Sequence, residues 1–292
     1  MHTRASDGLW SPAEVVREAA RIGLAAVAVA DHDTLAGVDE ACREAERLKG
    51  PRVIPAVEIN TDHGSTEAHV LCYFPDLADQ AFRSFLATQV ESRLERARRM
   101  VDLLGTLGLR ITWSRVLELA AGGPIGRPHV AAALIERGYV TGLQEAMDKW
   151  LGRGRPGYVP RRKLTPHAAV AEIVRAGGAA VLAHPGLVGC DGLIDELMPC
   201  GLVGLEAHHP AHAPAARQRY EALARKKHLV VTGGSDFHGP GVTEGAVLGE
   251  VSVPVAAVQE LLARLPRPRP GASGSMRSSG AQGGVVQSSG GR

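Results

Sequence analysis

The chain predicts an α/β fold built on a parallel sheet, either one barrel or two smaller domains, on three observations. Apolar runs of strand length, such as 24–30 (LAAVAVA), carry no polar interruption, as strands covered on both faces require. Segments of helical period, closed by glycine, separate those runs. Histidines and acids recur where the runs stop, at His32, Glu58, His184, His208, His209, Asp236 and His238.

Taken in order, Ser11 with Pro12 and Glu14 reads as N-cap, N1 and N3 of a helix over 12–22 that carries a capping box, with Gly23 as its stop. The strand 24–30 then runs into Asp31-His32-Asp33-Thr34. A helix over 36–49 closes at Gly50, VIPAVEI makes a strand ending near Glu58, and AHVLCYF makes another through 68–74. From 76 to 165 the pattern turns helical, with glycine breaks at 122–123 and 152–157, and no strand run interrupts it. The βα rhythm resumes afterwards in the same style, so 76–165 reads as a helical insertion into a barrel made of 1–75 and 166–264. Thr165-Pro166 opens a helix stopping at Gly177-Gly178, and AAVLA leads to His184-Pro185. A strand at 203–207, a helix over 214–226 and a strand at 229–232 follow, then a short strand near 247–252 and a helix near 254–264. The segment 266–292 is Pro, Arg, Gly and Ser without an aromatic residue, too poor in apolar surface to offset its ordering entropy, and is expected to be a disordered tail.

Composition narrows the function classes. With 33 Lys+Arg against 31 Asp+Glu the net charge of +2 predicts no nucleic-acid or membrane partner from bulk electrostatics, so an anionic substrate must be caught locally. No apolar window approaches a membrane span and no signal-peptide order opens the chain, which makes a cytoplasmic protein the expectation. Four cysteines without a CxxC pair are expected to be reduced thiols. No protein partner is inferred.

The twelve histidines carry the chemistry. At the C-terminal edge of a parallel sheet, where α/β barrels collect their reacting groups, imidazole and carboxylate together suit Zn, Mn or Fe rather than a soft thiolate site. His69, within an apolar strand, needs a partner or a metal. Paired divalent ions acidify a bridging water and hold phosphoryl oxygens, so the residues alone favour metal-assisted hydrolysis.

Five stretches, His2-Thr3-Arg4-Ala5-Ser6-Asp7-Gly8, Asp31-His32-Asp33-Thr34, Val57-Glu58-Ile59, Ala183-His184-Pro185 and Gly234-Ser235-Asp236-Phe237-His238, resemble in order the motifs of the PHP (polymerase and histidinol phosphatase) metal-dependent phosphoesterases. The resemblance covers about 1–264 and implies a distorted (β/α)7 barrel with two or three divalent ions, Mn, Zn or Fe, at its C-terminal rim. It implies that His2, Glu58 and Asp236 share one ion, that Asp7, His32 and His238 hold a second, and that Glu58 bridges to a third with His69 and His184. The family places His-x-His at the end of its first strand where this chain has Met1-His2, so the first strand is expected to be truncated, as a start codon assigned too late would produce.

Arg127-Pro128-His129, 157–160 (GYVP) and Glu206 followed by His209-Pro210 are similar to the branch acting on small nucleotides. That branch removes the 3′-phosphate from nucleoside 3′,5′-bisphosphates or degrades short RNA as a 5′-3′ exoribonuclease; a phosphoribosyl cyclic phosphate phosphodiesterase and an inactive metal-binding protein are the alternatives. Asp236, His238 and His209 are then the catalytic candidates, and Arg127, His129 and His209 the substrate-binding ones. Each has a plainer alternative: Arg127 and His129 flank a helix start with Pro128 at N1, and His209 caps a loop. Arg93, Arg96, Arg98 and Arg99 read mainly as a solvated helix face, His208 and His212 as surface residues, and Asp31 and Asp33 as acceptors that orient His32.

Overall fold

The computed structural model describes residues 1–266 apart from 65, 121–122, 161 and 243–245; the tail expected from 266 lies, but for its first residue, outside the described residues, as does the glycine break at 122. The chain is built, in order, from α1 (Pro12–Arg21), β1 (Ala26–Val29), α2 (Val38–Leu48), β2 (Arg52–His63), β3 (Thr66–Tyr73), α3 (Gln80–Thr106), α4 (Trp113–Leu119), α5 (Arg127–Glu136), α6 (Leu143–Ala146), α7 (Pro166–Arg175), β4 (Ala179–Leu182), α8 (Pro185–Val188), α9 (Gly192–Leu197), β5 (Leu202–His208), α10 (Pro214–Lys226), β6 (Val230–Gly233) and α11 (Ala256–Ala263). Among the described residues no helix is long and apolar enough to cross a membrane.

The six strands form one curled sheet in sequential order. At its C-terminal rim Met1 and His2 span the two edges: the Met1 carbonyl accepts from Ala30 N–H beyond β1, and His2 N–H donates to the Phe237 carbonyl beyond β6, both at 2.9 Å. The architecture is that of the expected barrel type, with six of its strands among the described residues.

Two expectations need correction. β3 is antiparallel to both β2 and β4, so the sheet is mixed rather than parallel. The reason is local: β2 continues past Glu58 to His63, and only residues 64 and 65 separate it from β3, room for a hairpin turn at Gly64 (φ 60°) but not for a crossover. The short strand expected near 247–252 is a turn instead, because Glu250 N–H bonds back to the Val247 carbonyl and Gly249 adopts φ 84°, where a side chain would run into Ile22.

Alternation decides what faces the lumen. Ile54, Ala56, Leu71, Tyr73, Val181 and Val230 line the inner face and are closed off by Val258 and Leu261 of α11. Val57, Ile59, Val70, Cys72 and Leu182 point outward against Ile173 of α7 and Leu193 and Leu197 of α9. Period two then forces Glu58, the next inward position after Ala56, into the mouth of the barrel. The helices between 80 and 151 bury a separate core around Met100, Leu104, Leu134 and Leu151, so this stretch packs on its own apolar surface before it meets the barrel.

Candidate metal centre

The N-terminal loop is tied to the rim by a buried carboxylate. Asp31 accepts the Thr3 N–H (2.6 Å), the Thr3 hydroxyl (2.8 Å) and the Ser6 hydroxyl (2.6 Å), and Leu9 N–H donates to the His238 carbonyl (2.7 Å). Asp31 therefore does not orient His32 as the sequence suggested; it holds the loop that carries His2 and Asp7. Gly8 closes this loop within 2.6 Å, measured from where a Cβ would sit, of the His2 carbonyl oxygen.

Around this frame the eight residues expected as ligands gather. Glu58, 3% exposed, is the hub. Its Oε2 lies 2.9 Å from His2 Nε2, and its Oε1 lies 2.7 Å from His69 Nδ1 and 3.2 Å from His184 Nε2. His69 reaches the rim from within an antiparallel strand, opposite Asn60, rather than from a strand's end. Asp236 Oδ1 sits 3.1 Å from His2 Nε2, and Asp7 lies 3.5 Å from His238 and 3.8 Å from both His2 and His32. Potential ligand atoms fall within 4.8 Å of one another in three groups: His2, Asp7, His32 and His238; His32, Glu58 and His69; and His2, Glu58 and Asp236.

Two of these residues are held in uncommon backbone. His184 (φ 27°) and Asp236 (φ 47°) occupy the left-handed region that non-glycine residues rarely adopt. For His184 the restraint is visible: its N–H donates to buried Glu206 Oε2 at 3.0 Å, and Pro185 follows at once.

Buried imidazoles and carboxylates hold one another's charges at this site. Burial alone would push His2 and His184 down. Asp236 and Glu58 overcome that for His2 and hold it up at about 10; Glu58, Glu206 and Asp236 do the same for His184, at about 9. Burial would raise Asp7, Glu58 and Asp236, yet the surrounding imidazoles keep each well below the ordinary carboxylate range. Burial holds His32 far below the usual histidine value despite Asp7 beside it. Glu206 goes the other way, pushed up by burial against the pull of His184 and His209.

Divalent ions fit this donor set. His2 Nδ1, Asp7 Oδ1, His69 Nε2 and His184 Nδ1 are buried without a hydrogen-bond partner, and buried polar atoms are otherwise almost always satisfied. Imidazole nitrogens and carboxylate oxygens are the ligands that zinc, manganese and iron prefer.

The remaining candidates sit differently. His209 is buried, its Nδ1 accepting from Ala211 N–H (3.1 Å) and its Nε2 3.4 Å from Asp236 Oδ2, so it packs behind Asp236. His212, expected on the surface, is a core strut: Nδ1 donates to the Ala207 carbonyl and Nε2 accepts from Gly186 N–H. His129 caps its own helix by accepting from Gly126 N–H (3.0 Å). Arg127 sends Nη2 to both oxygens of Glu67 at 2.7 Å, and with Arg93, Arg162, His32 and His69 it lines a cavity of about 140 Å³ beside the cluster.

Arg93 and Arg96 are not on a solvated face. Arg93 Nε–H meets Asp33 Oδ2 at 2.5 Å and Arg96 Nε–H meets the Val159 carbonyl at 2.7 Å. Asn60, which sequence reasoning passed over, contacts His32 directly. The signal was present: Asn60 is the next inward position after Glu58 on β2.

Comparison with known proteins agrees with the geometry. The PHP domain model matches residues 1–110. The 5′-3′ exoribonuclease Rnm of Salmonella typhimurium is 36% identical over 82% of this chain and 84% of its own length. The 3′,5′-nucleoside bisphosphate phosphatase of Chromobacterium violaceum is 33% identical over 82% and 86%. A solved structure from Bifidobacterium adolescentis, described as a metal-dependent phosphoesterase, superposes with a TM-score of 0.83 at 34% identity over 90% of this chain and 94% of that one. With relatives this similar along most of its length, and with its imidazoles and carboxylates gathered around Glu58, the chain belongs to the PHP family of metal-dependent phosphoesterases, hydrolases of phosphate esters.

Proposed function

We propose that this chain removes a phosphate from a small nucleotide such as a nucleoside 3′,5′-bisphosphate, with 5′-3′ exoribonuclease activity on short RNA as an extension of the same chemistry. The observation that carries the reading is the placement of an arginine-lined cavity, with Arg93, Arg127 and Arg162, directly against His32 and His69 of the cluster. One phosphate would lie at the cluster while a guanidinium takes a second by charge-assisted hydrogen bonds, for which its planar fork is suited. The names of the similar proteins, a bisphosphate phosphatase and a 5′-3′ exoribonuclease, support the same substrate class.

His2, Asp7, His32, Glu58, His69, His184, Asp236 and His238 would hold two or three Mn, Zn or Fe ions. Such ions supply Lewis acidity and a water acidified toward neutral pH. Glu58, facing three imidazoles, fixes their relative positions, and Asp31 keeps His2 and Asp7 in register with them. Asp236 Oδ1 lies 3.1 Å from His2 Nε2 and its Oδ2 3.4 Å from His209 Nε2, so His209, beside His184, is placed to hold a proton at Nε2 for a leaving alkoxide. Arg127 binds substrate once it is drawn from Glu67. The cytoplasm, where nucleotides and short RNA are met, is the compartment this reading expects. The test is Asp236→Ala, measured for bound metal and for phosphate released from adenosine 3′,5′-bisphosphate. Unchanged metal content together with unchanged hydrolysis refutes the assignment, and ring opening of a ribose cyclic phosphate in preference to phosphate release would favour the phosphodiesterase alternative.

A further inference from the structure

We infer that Asn60, clamped by Asp33 and by Arg93 of α3, sets the position of the proton on His32 and thereby decides whether that imidazole can serve as a ligand. The inference rests on the metal-centre reading above and adds a positioning residue to it. Asn60 Nδ2 lies 2.9 Å from His32 Nδ1 and 3.4 Å from Asp33 Oδ2. Asp33 in turn accepts the Asn60 backbone N–H on Oδ1 at 3.2 Å and the Arg93 Nε–H on Oδ2 at 2.5 Å. The chain Arg93–Asp33–Asn60–His32 thus joins three separate parts of the fold, a helix of the 80–151 stretch, the loop after β1 and the strand β2. Asp33 is 2% exposed, and it holds this place in left-handed backbone (φ 56°).

A neutral imidazole has one N–H and one lone pair, and which nitrogen carries which is set by the hydrogen bond at the other. With Asn60 donating its amide N–H, His32 Nδ1 must accept. The proton then sits on Nε2, the atom that faces Asp7 Oδ2 at 3.8 Å. In that tautomer His32 offers a cation among Asp7, His2 and His238 no lone pair. A half-turn of the same amide presents Oδ1 instead, which accepts from Nδ1–H and leaves the Nε2 lone pair free, the arrangement that metal-binding histidines generally require.

Asp33 decides between the two. Its Oδ2 attracts the Asn60 amide donor, favouring the form in which His32 cannot ligate. Arg93 draws on the same oxygen and so lowers the cost of the other form. Among the described residues Asn60 alone is within hydrogen-bond distance of His32 Nδ1, Glu58 Oε2 being 3.8 Å away. Asn60 is therefore a two-position selector, and α3 reaches the ligand set from Arg93 through Asp33 and Asn60.

The experiment is a calorimetric titration of chelator-stripped protein with MnCl₂, comparing wild type, Asn60→Leu and Asn60→Asp. A carboxylate only accepts, so Asn60→Asp pins the proton on Nδ1, with Arg93 balancing its charge beside Asp33. The expected result is that Asn60→Asp binds Mn with the wild-type stoichiometry and at least the wild-type affinity. Asn60→Leu is expected to lose one ion or bind it about 10–100-fold more weakly, the usual cost of removing an outer partner of a ligating histidine. Wild-type behaviour of Asn60→Leu overturns the inference. So does equal weakening in both variants, which would make position 60 a matter of packing alone. Wild-type protein that takes up no Mn is a different failure, that of the metal-centre reading itself.

Discussion

Glu58→Gln removes one negative charge from the centre of the cluster while keeping its shape. Glu58 meets His2 and His69 at 2.9 and 2.7 Å and His184 at 3.2 Å, and it belongs to two of the three groups that can each hold an ion. In the metal-free protein, His2 and His184 are charged at neutral pH largely because of Glu58 and Asp236. Breaking a buried ion pair from one side costs about 3–5 kcal/mol, and the neutral amide recovers part of that by keeping one acceptor. The metal-free variant is therefore expected to lose about 2–4 kcal/mol, less than the full loss because the imidazoles release their protons instead. The loss of ions should be greater than the loss of stability, because a neutral amide is a weaker ligand than the carboxylate that would serve two of the three groups. Affinity should fall by more than the roughly 100-fold that outer partners account for, and phosphate release from a bisphosphate by about 10³-fold or more, some 4 kcal/mol of barrier. Metal analysis after dialysis and steady-state phosphate release measure the two. A variant that keeps the full ion complement and stays within threefold of wild-type turnover would refute Glu58 as the hub.

Three further outcomes follow from the same geometry. Histidines raised from 6.5 to about 10 (His2) and about 9 (His184) contribute stability that is complete below pH 6.5 and is lost as pH rises through 9–10, so the Tm of metal-free protein should fall between pH 7 and pH 10. Saturating Mn should abolish that fall, since ligand binding already displaces those protons; a flat metal-free profile would contradict it. Asp31→Ala strands the Thr3 N–H and the Thr3 and Ser6 hydroxyls in the interior and should cost about 3 kcal/mol or more, a Tm drop of several degrees, with loss of bound metal. Gly8→Ala puts a Cβ 2.6 Å from the His2 carbonyl oxygen and should cost about 1–3 kcal/mol in thermal denaturation while lowering metal retention, because the backbone that must give way carries the ligands.

Much of the fold was legible because local signals carried it. The box of Ser11 and Glu14 and the Thr165 cap marked α1 and α7 to within a residue or two, and α10 was read at its observed bounds. The reversal of β3 was not legible as written, since an apolar run reads alike in either direction and the decisive fact, a two-residue gap, appears only once β2 is known to continue to His63. His32, Glu58, His184, Asp236 and His238 were legible from their chemistry and their place at strand ends, and His69 as an imidazole within an apolar strand, whereas His2 and Asp7 came only from the resemblance to the PHP motifs. The residues that hold them were not legible: Asp31 binds the N-terminal loop rather than its neighbour His32, and Arg93 is drawn in from a helix whose sequence looks evenly charged.

By itself the sequence determined the alternation of strands and helices, the place of Glu58 near the end of an apolar run and the recurrence of imidazole and carboxylate at such ends, because pattern, capping and ligand chemistry are properties of short stretches of chain. Only the tertiary structure decided which imidazole meets which oxygen, and that Asn60, Asp33 and Arg93 stand behind His32, because those contacts join residues 27 to 60 positions apart. Burial then turns such distances into shifted protons, and no short stretch of chain contains the burial.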